Sequence, residues 1–326
     1  MKRLVVIFSM LITTYGWSQN TFKRSLMLMG SDFEITVVAP DSAAADKHIT
    51  NAVNEMERIE KLISSWDPDS QTSEINRNAG KKAVLVDREL FELIERALGL
   101  SQLTDGAFDI TYASMDHIWQ FDGSMQKMPN SEEVKASVAK VGYKNVELDK
   151  INSAVYLKRS GMKIGFGAIG KGYAADRAKK LLRDMGVSSG IINASGDITA
   201  WGLQPNGAPW KVAITNPMDK QKAYGTLPVT EGAVVTSGNY EKYVVFNGKR
   251  YSHIIDPRTG YPSNGLVSVT VFAPKAELAD ALATSIFVMG KTVGLNRIAQ
   301  IPGVSCIIID DKGTLFASEE IEIAKL

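Results

Sequence analysis

Gly165-Phe166-Gly167-Ala168-Ile169-Gly170-Lys171-Gly172 is the stretch on which the fold class turns. On paper it satisfies two phosphate-binding patterns. Gly165, Gly167 and Gly170 give G-x-G-x-x-G, and Gly165, Gly170 and Lys171 give most of a P-loop. Both fail on context. A P-loop needs Ser or Thr after its Lys to hold magnesium, and Gly172 stands there. A dinucleotide fold needs an acidic residue at the end of the next strand, about 20 residues on. Asp184 is the nearest candidate, and it falls inside a helical pattern. The segment still has the physics of an anion site. Glycines let a ligand approach the backbone, the following helix presents free N–H groups, and Lys171 adds a full charge. The plain alternative is a glycine-rich turn that allows tight helix–sheet packing.

Working outward, Tyr173–Met185 reads as a helix closed by Gly186. Upstream, Phe33–Val38 alternates as a strand with Phe33, Ile35 and Val37 on one face. Ala43–Ile63 is a long amphipathic helix. Asp87–Leu103 is another, with Asp87 as its N-cap, and Ser131–Val141 is a third, opened by a Ser. Strands are expected at Asn145–Leu148, Ala154–Leu157, Gly190–Asn193, Trp210–Ile214, Ala233–Thr236, Tyr243–Phe246 and Val267–Phe272. Glu277–Met289 is a helix ended by Gly290. Val304–Ile309 and Thr314–Ala317 form a last hairpin around Asp310-Asp311-Lys312-Gly313. Helices are interspersed early and strands cluster late, several joined by short turns. That pattern predicts an α+β fold with antiparallel sheet, not a βαβ alternation.

The 326 residues carry 37 basic and 36 acidic side chains, a net charge of +1, with no long like-charge run. Nothing there favours nucleic acid or a membrane surface. Lys2 and Arg3, the apolar Leu4–Ile12 and the more polar Tyr15–Gln19 read as an export signal over residues 1–19. Residues 20–326 are then one domain, soluble in the periplasm or secreted. An N-terminal core element is the alternative reading. No cysteine follows the signal, so no lipid anchor is expected. The single cysteine, Cys306, lies in an apolar run and reads as a buried small hydrophobe. His48, His117 and His253 are too scattered for a zinc site.

Three further constellations carry chemistry. Asp280 and Thr284, four residues apart within Ala279–Thr284, share a helix face and offer a carboxylate and a hydroxyl to a hard cation. A surface Asp with a back-bonded Thr is the bland alternative. Tyr251–Pro262 contains the turn Asp256-Pro257-Arg258-Thr259-Gly260, with His253 at its mouth. Thr104–Thr111 puts small residues before Phe108 and Asp109, which could floor a ring-shaped ligand; taken alone, the stretch is better read as helix capping by Gly106 over a core Phe.

Taken in order, these pieces resemble the FAD:protein FMN transferase (ApbE) family. The resemblance rests on Met29-Gly30, Ser64-Ser65-Trp66, Glu74-Ile75-Asn76, Asp105 to Asp109, Gly167 to Gly172 with Asp176, Asn193 to Asp197, Ser252 to Gly260, and Ala279-Asp280 through Thr284. It spans about Met29 to Gly290. Ser31 stands where the family commonly has Thr. The resemblance implies a T-fold-like α+β architecture. It implies FAD contacts from Met29, Trp66, Ala107, Phe108, Asp109, Lys171 and Ile254. It also implies a magnesium ion held by the Ala168 carbonyl, Asp280 and Thr284. FAD would be the substrate, cleaved with transfer of FMN to a Thr or Ser hydroxyl of an acceptor flavoprotein, a subunit of a membrane electron-transfer complex. His253 or Asp280 is the candidate base. A pyrophosphatase that gives FMN and AMP, and a non-catalytic flavin-binding protein, stay open.

Overall fold

The computed structural model describes residues 19–217, 223–239, 243–246, 248–318, 321 and 324–325. The export-signal reading falls on residues 1–18, outside the described residues. The chain begins with a hairpin of β1 (Asn20–Leu28) and β2 (Ser31–Ala39), followed by α1 (Ser42–Ile63), α2 (Gln71–Arg77), β3 (Val84–Leu85), α3 (Arg88–Leu103) and α4 (Ser131–Ser137). Next come β4 (Val146–Asp149), β5 (Ala154–Leu157), α5 (Gly170–Asp184), β6 (Gly190–Ala194), β7 (Asp197–Trp201), β8 (Trp210–Thr215) and β9 (Ala223–Val229). The remainder is β10 (Glu231–Gly238), β11 (Tyr243–Phe246), β12 (Lys249–Ser252), β13 (Leu266–Ala273), α6 (Ala276–Met289), α7 (Lys291–Ile298), β14 (Ser305–Asp310), β15 (Leu315–Ala317) and β16 (Ala324–Lys325).

The main sheet has eight strands in the order β1-β2-β6-β7-β10-β13-β14-β15, every neighbouring pair antiparallel. The failed dinucleotide context thus has its structural counterpart: the glycine segment feeds a helix, but no parallel crossover surrounds it. The architecture is the mixed helix and antiparallel sheet that the sequence predicts. Helices α1, α5 and α6 cover one face, burying Ile49, Met56 and Ile59 of α1 together with Ala174, Ala178 and Leu182 of α5. The small sheet β16-β9-β8 packs Val212, Ile214 and Leu227 with Val234 and Ile307 of the main sheet. Covering both faces explains why β2 departs from a clean alternation. Thr36 and Val38 are buried as well as Phe33, Ile35 and Val37, because Val38 meets Ala200 and Trp210.

Several local expectations need correction. Asp87 precedes α3 but its side chain makes no cap hydrogen bond; its Oδ2 accepts from Gln71 Nε2 at 2.7 Å instead. Helix α4 stops at Ser137 and is capped by Asn130, not by Ser131, through a reciprocal bond pair with Glu133. Helix α5 starts at Gly170, earlier than Tyr173, and its Gly186 has φ +86° as the C′ position requires. Strands β1, β3, β7, β9, β12 and β16 and helices α2 and α7 are additional to the sequence reading. Cys306 is fully buried on β14.

Candidate active site

The glycine segment is held by side chains from far away in the chain. Asn76 brackets the backbone of Ile164, donating to its carbonyl at 3.0 Å and accepting from its N–H at 2.8 Å. Ser114 does the same at Lys163, donating at 2.9 Å and accepting at 2.7 Å. Gly165 N–H donates to the Ile110 carbonyl at 2.9 Å. The chain then folds sharply, with Gly170 N–H donating to Phe166 C=O at 2.7 Å, and enters α5. A Cβ on Gly167 would collide with the Tyr112 hydroxyl, so the close approach depends on glycine.

The start of α5 sits directly against the start of α6. Asp176, one and a half turns into α5, accepts from Ala276 N–H at 3.0 Å and Glu277 N–H at 2.9 Å. It therefore caps a helix whose own N-cap residue, Lys275, makes no side-chain cap bond. Glu277 is in turn gripped by both arms of Arg96, at 2.6 and 3.1 Å. This clamp fixes α6 so that Asp280 and Thr284 face the glycine segment. Gly172 N–H points at Asp280 Oδ2 from 3.4 Å, and Thr284 Oγ1 lies 3.3 Å from Ser237 Oγ on β10. The shared-face reading of Asp280 and Thr284 holds, and Asp280 is only 4% exposed, so the surface alternative falls.

Burial raises the Asp176 carboxyl to about 6, against the pull of its two backbone donors. A carboxyl whose folded pKa lies above its unfolded value favours folding most when protonated. That contribution is present below about pH 4 and is lost as pH rises through about 6. Over that window the unfolding free energy of the wild type, relative to Asp176→Asn, is expected to fall by about 3 kcal/mol. Denaturant unfolding of both proteins at pH 4 and pH 7 checks it; an unchanging difference would contradict the assignment.

Sequence reasoning assigns Asp197 no role, although it closes the Asn193–Asp197 motif. Asp197, 3% exposed at the start of β7, has Oδ2 3.1 Å from Lys171 Nζ and lies within hydrogen-bonding reach of Asp280. Burial pushes both carboxyls up, Asp197 well above the usual range, and the Asp280 charge pushes Asp197 further. Burial alone would lower Lys171, but Asp280 and Asp197 outweigh it and hold the ammonium charged. Two buried carboxyls thus share one lysine. When both are ionised, the cluster lacks a positive charge, which is what a divalent cation supplies. Among the described residues no three His, Cys, Asp or Glu side chains converge on a metal. A cation here would rest on mixed oxygens. The Ala168 carbonyl, which accepts from no backbone N–H among the described residues, would join Asp280 and Thr284 in such a set. Carboxylate, hydroxyl and carbonyl are the oxygen chemistry that magnesium takes, and the residues fit it.

Two cavities flank this cluster. One, about 560 Å³, is aromatic: Trp66, Phe108, Tyr112, Trp119, Phe121 and Phe166 line it with Ala107, Asp109, Ala168, His253, Ile254 and Thr284. Trp66 is 87% exposed and rims its mouth. The other, about 760 Å³, is polar and includes Lys171, Asn193, Asp197, Thr236, Ser237 and Asp280. Gly167, His253, Ile254 and Thr284 line both. Thus nearly all the sequence-predicted residues converge. Met29 lines neither cavity: it sits on the β1–β2 turn at φ +50°, its N–H donating to Glu60 Oε2 at 3.3 Å and its side chain beside Gly170.

Asp109 is held by Thr111 N–H, Thr111 Oγ1 and Tyr143 N–H at 2.8, 2.6 and 2.8 Å, so it also shapes the cavity floor. Gly106 caps α3 through a 2.8 Å bond to the Ser101 carbonyl and Phe108 is buried, so the structural and ligand readings of that stretch coexist. The loop that brings in His253 is pinned by Ser263 N–H to Ile254 C=O at 2.8 Å and by Trp119 Nε1 to Gly260 C=O at 2.9 Å. His253 meets Phe121 edge-on at 6.5 Å.

Comparison with known proteins agrees with this geometry. A sequence profile described as the ApbE family matches residues 29–308. A Klebsiella pneumoniae protein named FAD:protein FMN transferase is 32% identical over 290 residues, covering 88% of this chain and 89% of the relative. Among solved structures, the ApbE protein of Thermotoga maritima superposes with a TM-score of 0.83 at 33% identity, covering 92% of this chain and 97% of the other. The apo flavinyl transferase ApbE of Pseudomonas stutzeri gives 0.82 at 26% identity, with 92% and 95% covered.

Proposed function

The chain belongs to the ApbE family, and from that premise we propose that it is a magnesium-dependent transferase that cleaves FAD and attaches the FMN half to an acceptor flavoprotein. The observation that carries this reading is the meeting of an aromatic and a polar cavity at Gly167, His253 and Thr284, directly beside Asp280 and Lys171. The aromatic cavity suits the ring end of FAD, with the exposed Trp66 offering a face for stacking. Lys171 and the N-terminal amides of α5 suit its pyrophosphate.

The acceptor enters from the polar side. Its Thr or Ser oxygen forms a bond to the phosphorus on the FMN side, and the P–O bond to AMP breaks. The hydroxyl proton passes to a base; His253, which lines both cavities, is the candidate, with Asp280 the other. AMP leaves with the bridging oxygen and its charge, which Lys171 offsets electrostatically. Asp280, Thr284 and the Ala168 carbonyl would hold magnesium, which would supply neutralisation of pyrophosphate charge. The acceptor we propose is an exported subunit of a membrane electron-transfer complex. The enzyme would share its compartment, periplasmic or extracellular, after loss of residues 1–19.

The test incubates the mature protein with FAD, magnesium and a candidate acceptor domain, then reads acceptor mass and flavin fluorescence after denaturation. A magnesium-dependent gain of one FMN on the acceptor is expected, with AMP released. Free FMN and AMP with no acceptor adduct would identify a pyrophosphatase instead, and intact FAD throughout would leave only flavin binding.

A further inference from the structure

The main sheet has a notch beside this site. Strands β6 and β7 are joined by a two-residue turn, Ser195-Gly196, with φ of +56° and +98° as tight hairpins require. The hairpin therefore stops abruptly at Asp197. Its neighbour β10 does not stop there. Val235 is the last β10 residue paired with β7, opposite Asp197, yet β10 runs on through Thr236, Ser237 and Gly238. On their other edge these three pair with Thr270, Val269 and Ser268 of β13. On the β7 side no strand pairs with them among the described residues. The polar cavity of about 760 Å³ fills that gap, and Thr236, Ser237, Gly238, Ser195 and Gly196 all line it.

The occupant can be argued from the lining. Among the described residues no Phe, Tyr or Trp borders the cavity, in contrast to the aromatic one, so their lining suits a flavin or adenine ring poorly. Among the described residues its charged side chains are Lys171 and Lys211 against Glu34, Asp197 and Asp280, which disfavours a second anionic group. What it offers is an open strand edge whose middle residue, Ser237, touches Thr284. We propose that the acceptor polypeptide docks here in an extended conformation, pairing its backbone with Thr236–Gly238 in the place that β7 vacates, and so delivers its hydroxyl to the Asp280–Thr284 side of FAD. Backbone pairing at a free edge supplies affinity with little demand on the acceptor's side chains. The proposal rests on the transferase reading for its occupant.

Two measurements on the full mature chain test it, using a short synthetic peptide spanning a threonine of a candidate acceptor domain. First, hydrogen exchange is followed with and without the peptide: slowed exchange at residues 236–238 is expected, and unchanged exchange there overturns the docking mode. Second, single N-methyl groups are scanned along the peptide backbone. Pairing along one edge predicts a period of two, with alternate positions raising KM about tenfold while their neighbours are tolerated. Transfer that is equally sensitive, or insensitive, at every position overturns strand pairing while leaving the transferase intact. Protection of 236–238 without any FMN transfer would do the reverse, keeping the docking and removing the activity.

Discussion

Asp280→Ala is expected to lower FMN transfer by on the order of 10²–10³, or more, while leaving the protein folded and no less stable without added cation. The activity loss corresponds to about 3–4 kcal/mol of transition-state stabilisation. The stability expectation follows from the site itself. Asp280 is buried beside a second carboxyl, Asp197, and only Lys171 opposes them. Removing one of two like charges relieves repulsion and desolvation, and Lys171 keeps Asp197 as its partner. The wild type should gain thermal stability when magnesium is added, by about 2.7 kcal/mol at a hundredfold excess over the dissociation constant. The variant should gain none. Steady-state transfer and melting curves with and without magnesium check both halves. Near-normal turnover in the variant would remove Asp280 from the metal site.

Gly172→Ala is the second large effect, and it acts through shape alone. A Cβ at this position would sit 2.6 Å from the Ala276 carbonyl carbon and 2.9 Å from Glu277 N, both backbone atoms that no rotamer change can move. The two helices would have to part where Asp176 caps α6. About 3 kcal/mol of destabilisation is expected, a melting temperature lower by roughly 4–6 °C, and loss of transfer beyond what the stability change explains. The contrast is Gly99→Ala. Gly99 lies exposed within α3, with nothing within 4 Å of a new Cβ, so the same chemical change should stabilise by about 0.5–1 kcal/mol. Differential scanning calorimetry of the two variants would show opposite signs, and equal shifts would refute the packing argument.

How much of this was readable beforehand depends on how local each signal is. Helices α1, α5 and α6 announce themselves through apolar spacing, α5 and α6 also through the glycines that end them, and the antiparallel class follows from strands joined by short turns. Strand β9 hides because Gly225 and Pro228 read as breakers; Pro228 is tolerated opposite Lys211 in a small three-stranded sheet. Strand β1 hides because Arg24 falls on its inward face and Met27 on its exposed face, which blurs the apolar alternation at the sheet edge. Helix α7 lies behind Gly290 and contains Gly294, whose missing side chain lets it pack onto Ile286 of α6. In the site, Lys171, Asp280 and Thr284 were legible because each belongs to a contiguous motif. Asn76 meets Ile164 across 88 positions, and Tyr112 and Asp197 gain their roles only from tertiary neighbours. No window of sequence contains such a pairing.

The lone thiol has a practical corollary. Cys306 is sealed within β14 and its pKa is pushed up to about 12 by burial, so at neutral pH almost no thiolate exists to react. An oxidising compartment offers this chain no intramolecular disulfide to form correctly or wrongly, and its folding has no slow oxidative phase. The folded surface is correspondingly blank to maleimide reagents. A single cysteine introduced at the rim of either cavity would take a fluorophore selectively, without first deleting the native one.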